Sequence, residues 1–317
     1  MAGMAERGIF AMKILIVKPG GIGDTLLMFP ALVELGVRFP GAQIDMIGNR
    51  AALDLFRISG RIANARSIDD RLSTRLLCAA DREAVDILGS YDRLFFLIDD
   101  GDGEIAHRLT AAGIRDFVIA SSRQADPRVP QWRYCIEICG LRQTLSEDDY
   151  CREFARGFSP PAQRGGGVII HPGSGSASKN WPPERFCAVI DHCCSNLREP
   201  IALVMGYAED GLHAAFERMR HHPRISFFVD CPLAEVVSLL RGARAFLGND
   251  SGIAHVAGLL GVPSVVLFGP TDPAAWKPIG GSVTVLAPPD GERSSNGIAT
   301  DAVIAALHCA LGMEYGP

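Results

Sequence analysis

The stretch KPGGIGDTLLMFP, Lys18 to Pro30, decides how the chain is read. Before it, Ile14-Leu15-Ile16-Val17 is an unbroken apolar run, the pattern of a strand buried on both faces of a parallel sheet. After it, Thr25-Leu26-Leu27-Met28-Phe29 reads as the start of a helix. The turn between them is dense in glycine, which suggests phosphate binding, yet it carries an acid, Asp24, that would repel a phosphate. It is not a dinucleotide fingerprint, because Gly21 and Gly23 are followed by Leu26 where a third glycine is needed. Nor is it a P-loop, since no Gly-Lys-Ser/Thr follows. Asp24 therefore has two readings. It can cap the helix by accepting backbone N–H bonds, or serve as a catalytic base, and one carboxylate can do both.

Outward from this stretch, strand-like and helix-like segments alternate, which predicts parallel sheets with crossover helices. Strands are expected at Lys13–Val17, Gln43–Ile47, Leu94–Ile98 and Asp116–Ala120. The segment GFSPPAQRGGG, Gly157 to Gly167, has two prolines, four glycines and no periodicity, and reads as a linker. A second series follows at Val168–His171, Ile201–Met205, Ile225–Val229, Ala245–Gly248, Ser264–Phe268 and Val283–Leu286. A last helix over Ile298–Leu311 offers Ile298, Val303, Ala306 and Ala310 for packing on either half, the first included. Two domains are expected, residues 1–160 and 161–317, with ligands bound between the carboxyl ends of their strands.

Two further loops sit where that arrangement would place function. HPGSGSASKNWPPERF, His171 to Phe186, follows the first strand of the second half. Gly173, Ser174, Gly175, Ser176 and Ser178 let backbone amides and hydroxyls approach an anion, and Lys179 adds a full charge. The chain has only four lysines against 27 arginines, so a diphosphate site is favoured over a plain surface turn. In FLGNDSGIAHVAGLLGVPSVVLFGPTDPAAW, Phe246 to Trp276, Asp250 and Ser251 lie at another strand-to-helix turn and His255 one helical turn further on. Alone, His255 reads more readily as a hydrogen-bonded core residue than as a catalyst.

Composition narrows the alternatives. The chain has 317 residues, of which 48% are apolar and 21% charged, with mean hydropathy +0.15, as expected of a well-cored globular protein. A net charge of −5 and a pI near 5.9 argue against a general nucleic-acid binder. No apolar run approaches the roughly 20 residues that span a bilayer. The N-terminus MAGMAERGIFAMK lacks a signal peptide's apolar core, Met12 is a plausible start, and a cytoplasmic location is the expectation. Nine cysteines form no paired CxxC pattern and fit reduced thiols. Cys135, Cys139 and Cys151 are read as core thiols in preference to part of a metal site.

Together the three loops resemble glycosyltransferase family 9, the ADP-heptose:lipopolysaccharide heptosyltransferases and their relatives. The resemblance rests on Gly23-Asp24, Pro30, Leu32, Leu35, Pro40 and Ala42; on His171-Pro172-Gly173 with Lys179, Trp181 and Pro182; and on Asp250-Ser251-Gly252, His255 and Phe268 to Pro273. It implies a GT-B fold, two Rossmann-like doubly wound parallel-sheet domains facing across a cleft, the first binding the acceptor and the second the nucleotide sugar. It further implies an inverting, metal-independent transfer without cofactor, with Asp24 as general base and Lys179, Ser174 and the amides near Gly173 and Gly175 stabilising the departing diphosphate. Asp250 would contact the sugar, Ser251 and Gly252 the phosphates, with His255 beside them, and Glu209 or Asp210 the ribose. The implied acceptor is an anionic lipid-linked glycan, with Gly23, Arg57, Arg61 and Arg123 as candidate contacts and peripheral contact with the inner membrane surface as a corollary. Arginine suits phosphate and carboxylate recognition, but these arginines also read as solvated helix faces. Lys18 stands where relatives often have arginine. A GT-B nucleotide-sugar epimerase and a non-catalytic sugar-nucleotide or glycan-binding protein are the alternative readings. The first would need groups for C–H proton abstraction that cannot be assigned in the sequence.

Overall fold

A computed structural model describes residues 12–77, 81–159, 166–206, 211–289 and 292–314. The first sheet comprises β1 (Lys13–Lys18), β2 (Gln43–Gly48), β3 (Asn64–Ser67), β4 (Arg93–Leu97) and β5 (Phe117–Ala120), in the order β3-β2-β1-β4-β5. The second comprises β6 (Gly166–His171), β7 (Ile201–Met205), β8 (Ile225–Val229), β9 (Ala243–Asn249), β10 (Ser264–Leu267) and β11 (Val283–Leu286), in the order β11-β10-β9-β6-β7-β8. Every pairing is parallel. Around the first sheet lie α1 (Ile22–Leu26), α2 (Phe29–Arg38), α3 (Arg50–Ile58), α4 (Arg71–Leu77), α5 (Arg82–Leu88), α6 (Glu104–Ala111), α7 (Gln131–Ile138) and α8 (Glu147–Arg156). The second half carries α9 (Pro183–Asn196), α10 (His213–Phe216), α11 (Leu233–Gly242), α12 (Gly252–Leu259), α13 (Pro273–Trp276) and α14 (Thr300–Ala310).

In both sheets the strand order reverses next to the founding strand, between β1 and β4 and between β6 and β9. At such a point the following loops run to opposite faces and leave a crevice at the carboxyl ends of the strands. The loops after β1, β6 and β9 are the three that stood out in the sequence. β1 earns its central place by composition, since all of its residues but Lys13 are buried.

The first half contains one strand that the sequence reading left out. β3, Asn64-Ala-Arg-Ser67, has no apolar run because it is an edge strand with no fully buried residue. Its register puts Asn64 beside Asp45, whose carboxylate accepts from the Asn64 amide at 2.9 Å. The last helix takes one of the two packings that its sequence left open. α14 buries Val303, Ile304 and Leu307 in the core of the second sheet and packs on α9, so it does not return to the first half.

The helix that crosses is α8. A reciprocal capping box starts it, Asp149 N donating to Ser146 Oγ at 3.2 Å and Ser146 N to Asp149 Oδ2 at 3.0 Å. Tyr150, Cys151 and Phe154 form its buried face. Phe154 meets Phe29 edge to face at 5.0 Å, while Cys151 Sγ donates to the Gly258 carbonyl at 3.4 Å and Glu147 accepts from Gly280 N at 3.1 Å. One apolar cluster consequently runs from α2 through α8 into α12. Burying a side chain such as Phe154 contributes about 1.5–3 kcal/mol, so this continuity is a substantial tie between the two sheets. The eight described cysteines are free, and Cys135, Cys139 and Cys151 are buried core thiols, Cys139 pushed up in pKa by burial and Cys135 held at about 11 for the same cause. Among the described residues no three His, Cys, Asp or Glu side chains could jointly hold a metal, and no helix is long and apolar enough to cross a membrane. Of the linker, residues 160–165 lie outside the described residues.

Candidate active site

The catalytic-loop candidate is built by a backbone reversal that side chains resist. Gly20 sits at φ +129°, and α1 begins two residues later. Asp24 is the third residue of that helix and accepts from Gly21 N at 3.1 Å through Oδ2. It is half-buried and lines a cavity of about 830 Å³ that both sheets face. The capping and catalytic readings of Asp24 are thus compatible in geometry: one oxygen holds the turn while the carboxylate borders the cavity.

Across the cavity, the second sheet supplies a connected polar cluster. His171 ends β6 in register with Gly248 of β9, which sets Asn249 beside the loop that follows β6. The Asn249 amide donates to the Pro172 carbonyl at 2.7 Å and its oxygen accepts from Trp181 N at 3.0 Å, fixing both ends of the loop. Lys179, on the 3-10 turn Ala177–Lys179, is thereby brought to Asp250, Nζ to Oδ2 at 2.7 Å. Thr271 donates its hydroxyl to the same oxygen at 2.6 Å. Asp250 is buried and Lys179 partly open to the cavity, so the ammonium keeps further N–H donors available beyond the one aimed at Asp250. Ser251 caps α12, accepting from Ala254 N at 3.3 Å.

The two halves touch at the N-termini of α1 and α12. A methyl group on Gly23 would fall 2.7 Å from His255 Cδ2, and one on Gly252 would fall 2.7 Å from Ile22 Cβ. Only hydrogen atoms on both glycines allow this approach. His255 Nε2 lies 4.0 Å from Asp250 Oδ1. Burial lowers the His255 pKa below the usual imidazole range; Asp250 and Asp24 oppose that shift and Lys179 adds to it. Groups from both halves therefore act on one neutral, buried imidazole.

The structure brings together Gly23, Asp24, Arg123, Ser174, Gly175, Lys179, Asp250, Ser251, Gly252 and His255. Gly173 stands next to them in the loop and accepts weakly from Asn249 at 3.4 Å. The Ser174 hydroxyl points at the Ser176 carbonyl and Asn180 Oδ1, both 2.7 Å away, so its proton serves the loop and not the cavity. Arg57 and Arg61 do not line the cavity. Arg57 is exposed and lies 3.6 Å from Asp54, while Arg61 is turned to Glu153 of α8 in a half-buried ion pair. The free guanidinium of the acceptor reading is spent there on holding α8. Glu209 and Asp210 lie outside the described residues.

Several contributors were given no role of their own from sequence, although Asn249 and Thr271 lie within the Phe246–Trp276 stretch. Thr271 and Asn249 complete the polar cluster, and Val204, Met205, Cys231, Leu233 and Val236 form an apolar wall beyond it. Trp276 closes the rim, with the Arg123 guanidinium 5.9 Å from its ring centre. Val204 and Met205 end β7, and Cys231, Leu233 and Val236 follow β8, so their strand-end position was the available signal; their apolar character gave no other.

Two all-parallel α/β sheets enclosing a ligand-sized cavity at their switch points define the GT-B class of glycosyltransferase fold. The fold superposes on E. coli ADP-heptose lipopolysaccharide heptosyltransferase II with a TM-score of 0.73 at 19% identity, over 95% of this chain and 98% of that one. E. coli heptosyltransferase WaaC, solved with ADP, gives a TM-score of 0.73 at 17% identity, over 94% and 100%. In sequence, residues 140–297 match the pattern of glycosyltransferase family 9 (heptosyltransferase). A lipopolysaccharide heptosyltransferase 3 from E. coli is 31% identical over 287 residues, 81% of this chain and 83% of the relative. The chain belongs to glycosyltransferase family 9 and is a glycosyltransferase.

Proposed function

We propose that the enzyme transfers heptose from ADP-heptose to a hydroxyl of a lipopolysaccharide core, with inversion and without a metal. The donor and acceptor classes are those in the names of its relatives. One observation carries the reading: a carboxylate from the first sheet and an ammonium from the second border the same cavity.

Asp24 takes the proton of the acceptor hydroxyl as its oxygen bonds to the anomeric carbon. The bond from that carbon to the diphosphate breaks on the opposite face, and the electron pair leaves with the nucleotide. Lys179 meets the charge that develops on the diphosphate, assisted by backbone amides at Gly173 and Gly175 and by Ser251 and Gly252 at the start of α12. Asp250, held by Lys179 and Thr271, faces the sugar hydroxyls. The apolar wall from Val204 to Val236 suits a nucleobase, and Glu209 or Asp210 the ribose. In this reading residues 1–160 bind the acceptor, Arg123 included, and residues 161–317 the donor. A lipid-linked acceptor places the enzyme at the cytoplasmic face of a membrane, which vesicle flotation with and without that acceptor would check.

The test is a donor screen. The enzyme is incubated with ADP-heptose, UDP-glucose or a GDP-sugar, with heptose-less lipopolysaccharide as acceptor, and release of nucleoside diphosphate is measured. Acceptor-dependent release from ADP-heptose, unaffected by EDTA, is expected. Release from none of the donors refutes transfer, and loss of activity in EDTA refutes the role given to Lys179.

A further inference from the structure

Lys18 is the most unusual residue of the first half outside the reaction just described. It ends β1 immediately before the Asp24 loop, and only 1% of its surface is exposed. Among the described residues no carboxylate lies within ion-pair distance of it. Its ammonium instead donates to two carbonyls, Ser122 O at 3.3 Å and Pro19 O at 3.5 Å. A buried ammonium is a costly way to fill a strand end that leucine or methionine would fill by packing alone. The carbonyls it holds are informative. Pro19 opens the Asp24 loop, and Ser122 belongs to the loop after β5, although β4 lies between β1 and β5 in the sheet.

The same loop is gripped from the other side by α7. Gln131, fully buried, donates to Ser122 O at 3.0 Å and accepts from Gln124 N at 3.3 Å, and the Tyr134 hydroxyl donates to Ser121 O at 3.2 Å. The residue enclosed by these contacts is Arg123, which lines the cavity and faces Trp276 of the other half.

We infer that Lys18 is a positioning residue that locks the acceptor-side loop Ser121–Gln124 to the catalytic loop, so that Arg123 and Asp24 keep a fixed spacing at the cavity. The assignment of Arg123 to the acceptor side rests on the transfer reading above; the lock itself rests on the contacts. A lock of this kind acts on acceptor binding and on Arg123 placement, and leaves the donor side, built wholly from the second sheet, untouched.

The experiment uses full-length Lys18→Met with heptose-less lipopolysaccharide and ADP-heptose. The acceptor KM is expected to rise about tenfold or more, since small misplacements are amplified at such sites, with kcat changing less and ADP affinity staying within about twofold. Acrylamide quenching of tryptophan fluorescence should also increase, because Trp132 and Trp181 are buried and Trp276 is the one beside Arg123. Tyr134→Phe removes a single hydroxyl contact and should move both readouts the same way by less. Unchanged acceptor KM and quenching in the variants, or an equal loss of acceptor and ADP binding, overturns the inference. If Lys18→Met does not fold, Tyr134→Phe decides by the same criteria. If the wild type fails to use this acceptor, the transfer reading fails, while quenching still tests the lock.

Discussion

The two walls of the cavity are built differently. On the first sheet Asp24 stands half-open, restrained by one backbone amide, with Arg123 at the rim. On the second sheet Lys179 and Thr271 are both bonded to Asp250, and Asn249 fixes the loop that carries Lys179, so this wall is assembled before any ligand arrives. The difference follows from the tasks proposed for them. A diphosphate must be met by charge that costs no reorganisation when the bond breaks, so its wall is pre-assembled. A base must reach a hydroxyl that changes with the acceptor, so its wall is held lightly.

The contrast is broken most severely by Asp24→Asn. Asparagine can still accept from Gly21 N, so the cap survives, but it cannot take a proton. Turnover should fall about 10²- to 10⁴-fold, the usual range for a general base, with ADP affinity within a few-fold of wild type and melting temperature little changed. Were Asp24 a cap only, the variant would keep its kcat.

Lys179→Ala should rank second. Losing a preorganised donor to a developing oxyanion typically costs roughly 2.7–4 kcal/mol, or about 10²- to 10³-fold in kcat. The variant also strips the buried Asp250 of its counter-charge. Thr271 still donates to that carboxylate, and Lys179 is itself partly solvated, so the loss of stability should be smaller than for a fully buried pair. Thermal melts beside steady-state kinetics separate the two effects. A normal kcat with a lowered melting temperature would make Lys179 a structural partner of Asp250 and nothing more.

How much of this was legible beforehand depended on the kind of signal. Strands written in apolar residues announced themselves, and β7 and the edge strands β8 and β11 lie where the apolar runs placed them. β3 was silent, because an exposed edge strand has no need of apolar residues. Loops whose chemistry depends on glycine, serine and a rare lysine were equally visible, and Asp24, Lys179, Asp250 and His255 do border one cavity. What sequence could not convey was who partners whom. The Arg61 charge is engaged by Glu153, 92 residues away, and the Ser174 proton by a neighbour in its own loop. The apolar wall at the end of β7 and after β8 carries no motif, since the surface proposed for a nucleobase asks only for bulk.

The smallest expected effect separates the halves by pH. Glu34 in the first half is buried, which alone would raise its pKa, but hydrogen bonds from the Thr144 hydroxyl, Tyr150, and the Thr144 and Leu145 amides outweigh burial and hold it below the usual range. A carboxyl depressed in the folded state adds stability above its unfolded pKa of about 4.3, and that stability is lost as pH falls further. His255 is also depressed, here by burial, so the folded protein binds its proton less readily than the unfolded chain does. Its contribution is complete above an unfolded pKa of about 6.5 and drains away below it. His308 shifts in the same direction, so the wild type alone cannot apportion the loss. His255→Gln should therefore flatten the fall in melting temperature between about pH 7.5 and 5.5, and Glu34→Gln should flatten only the part below about pH 4.5. Parallel curves for His255→Gln and wild type across the upper window would mean that the imidazole between the two halves is not held neutral by burial.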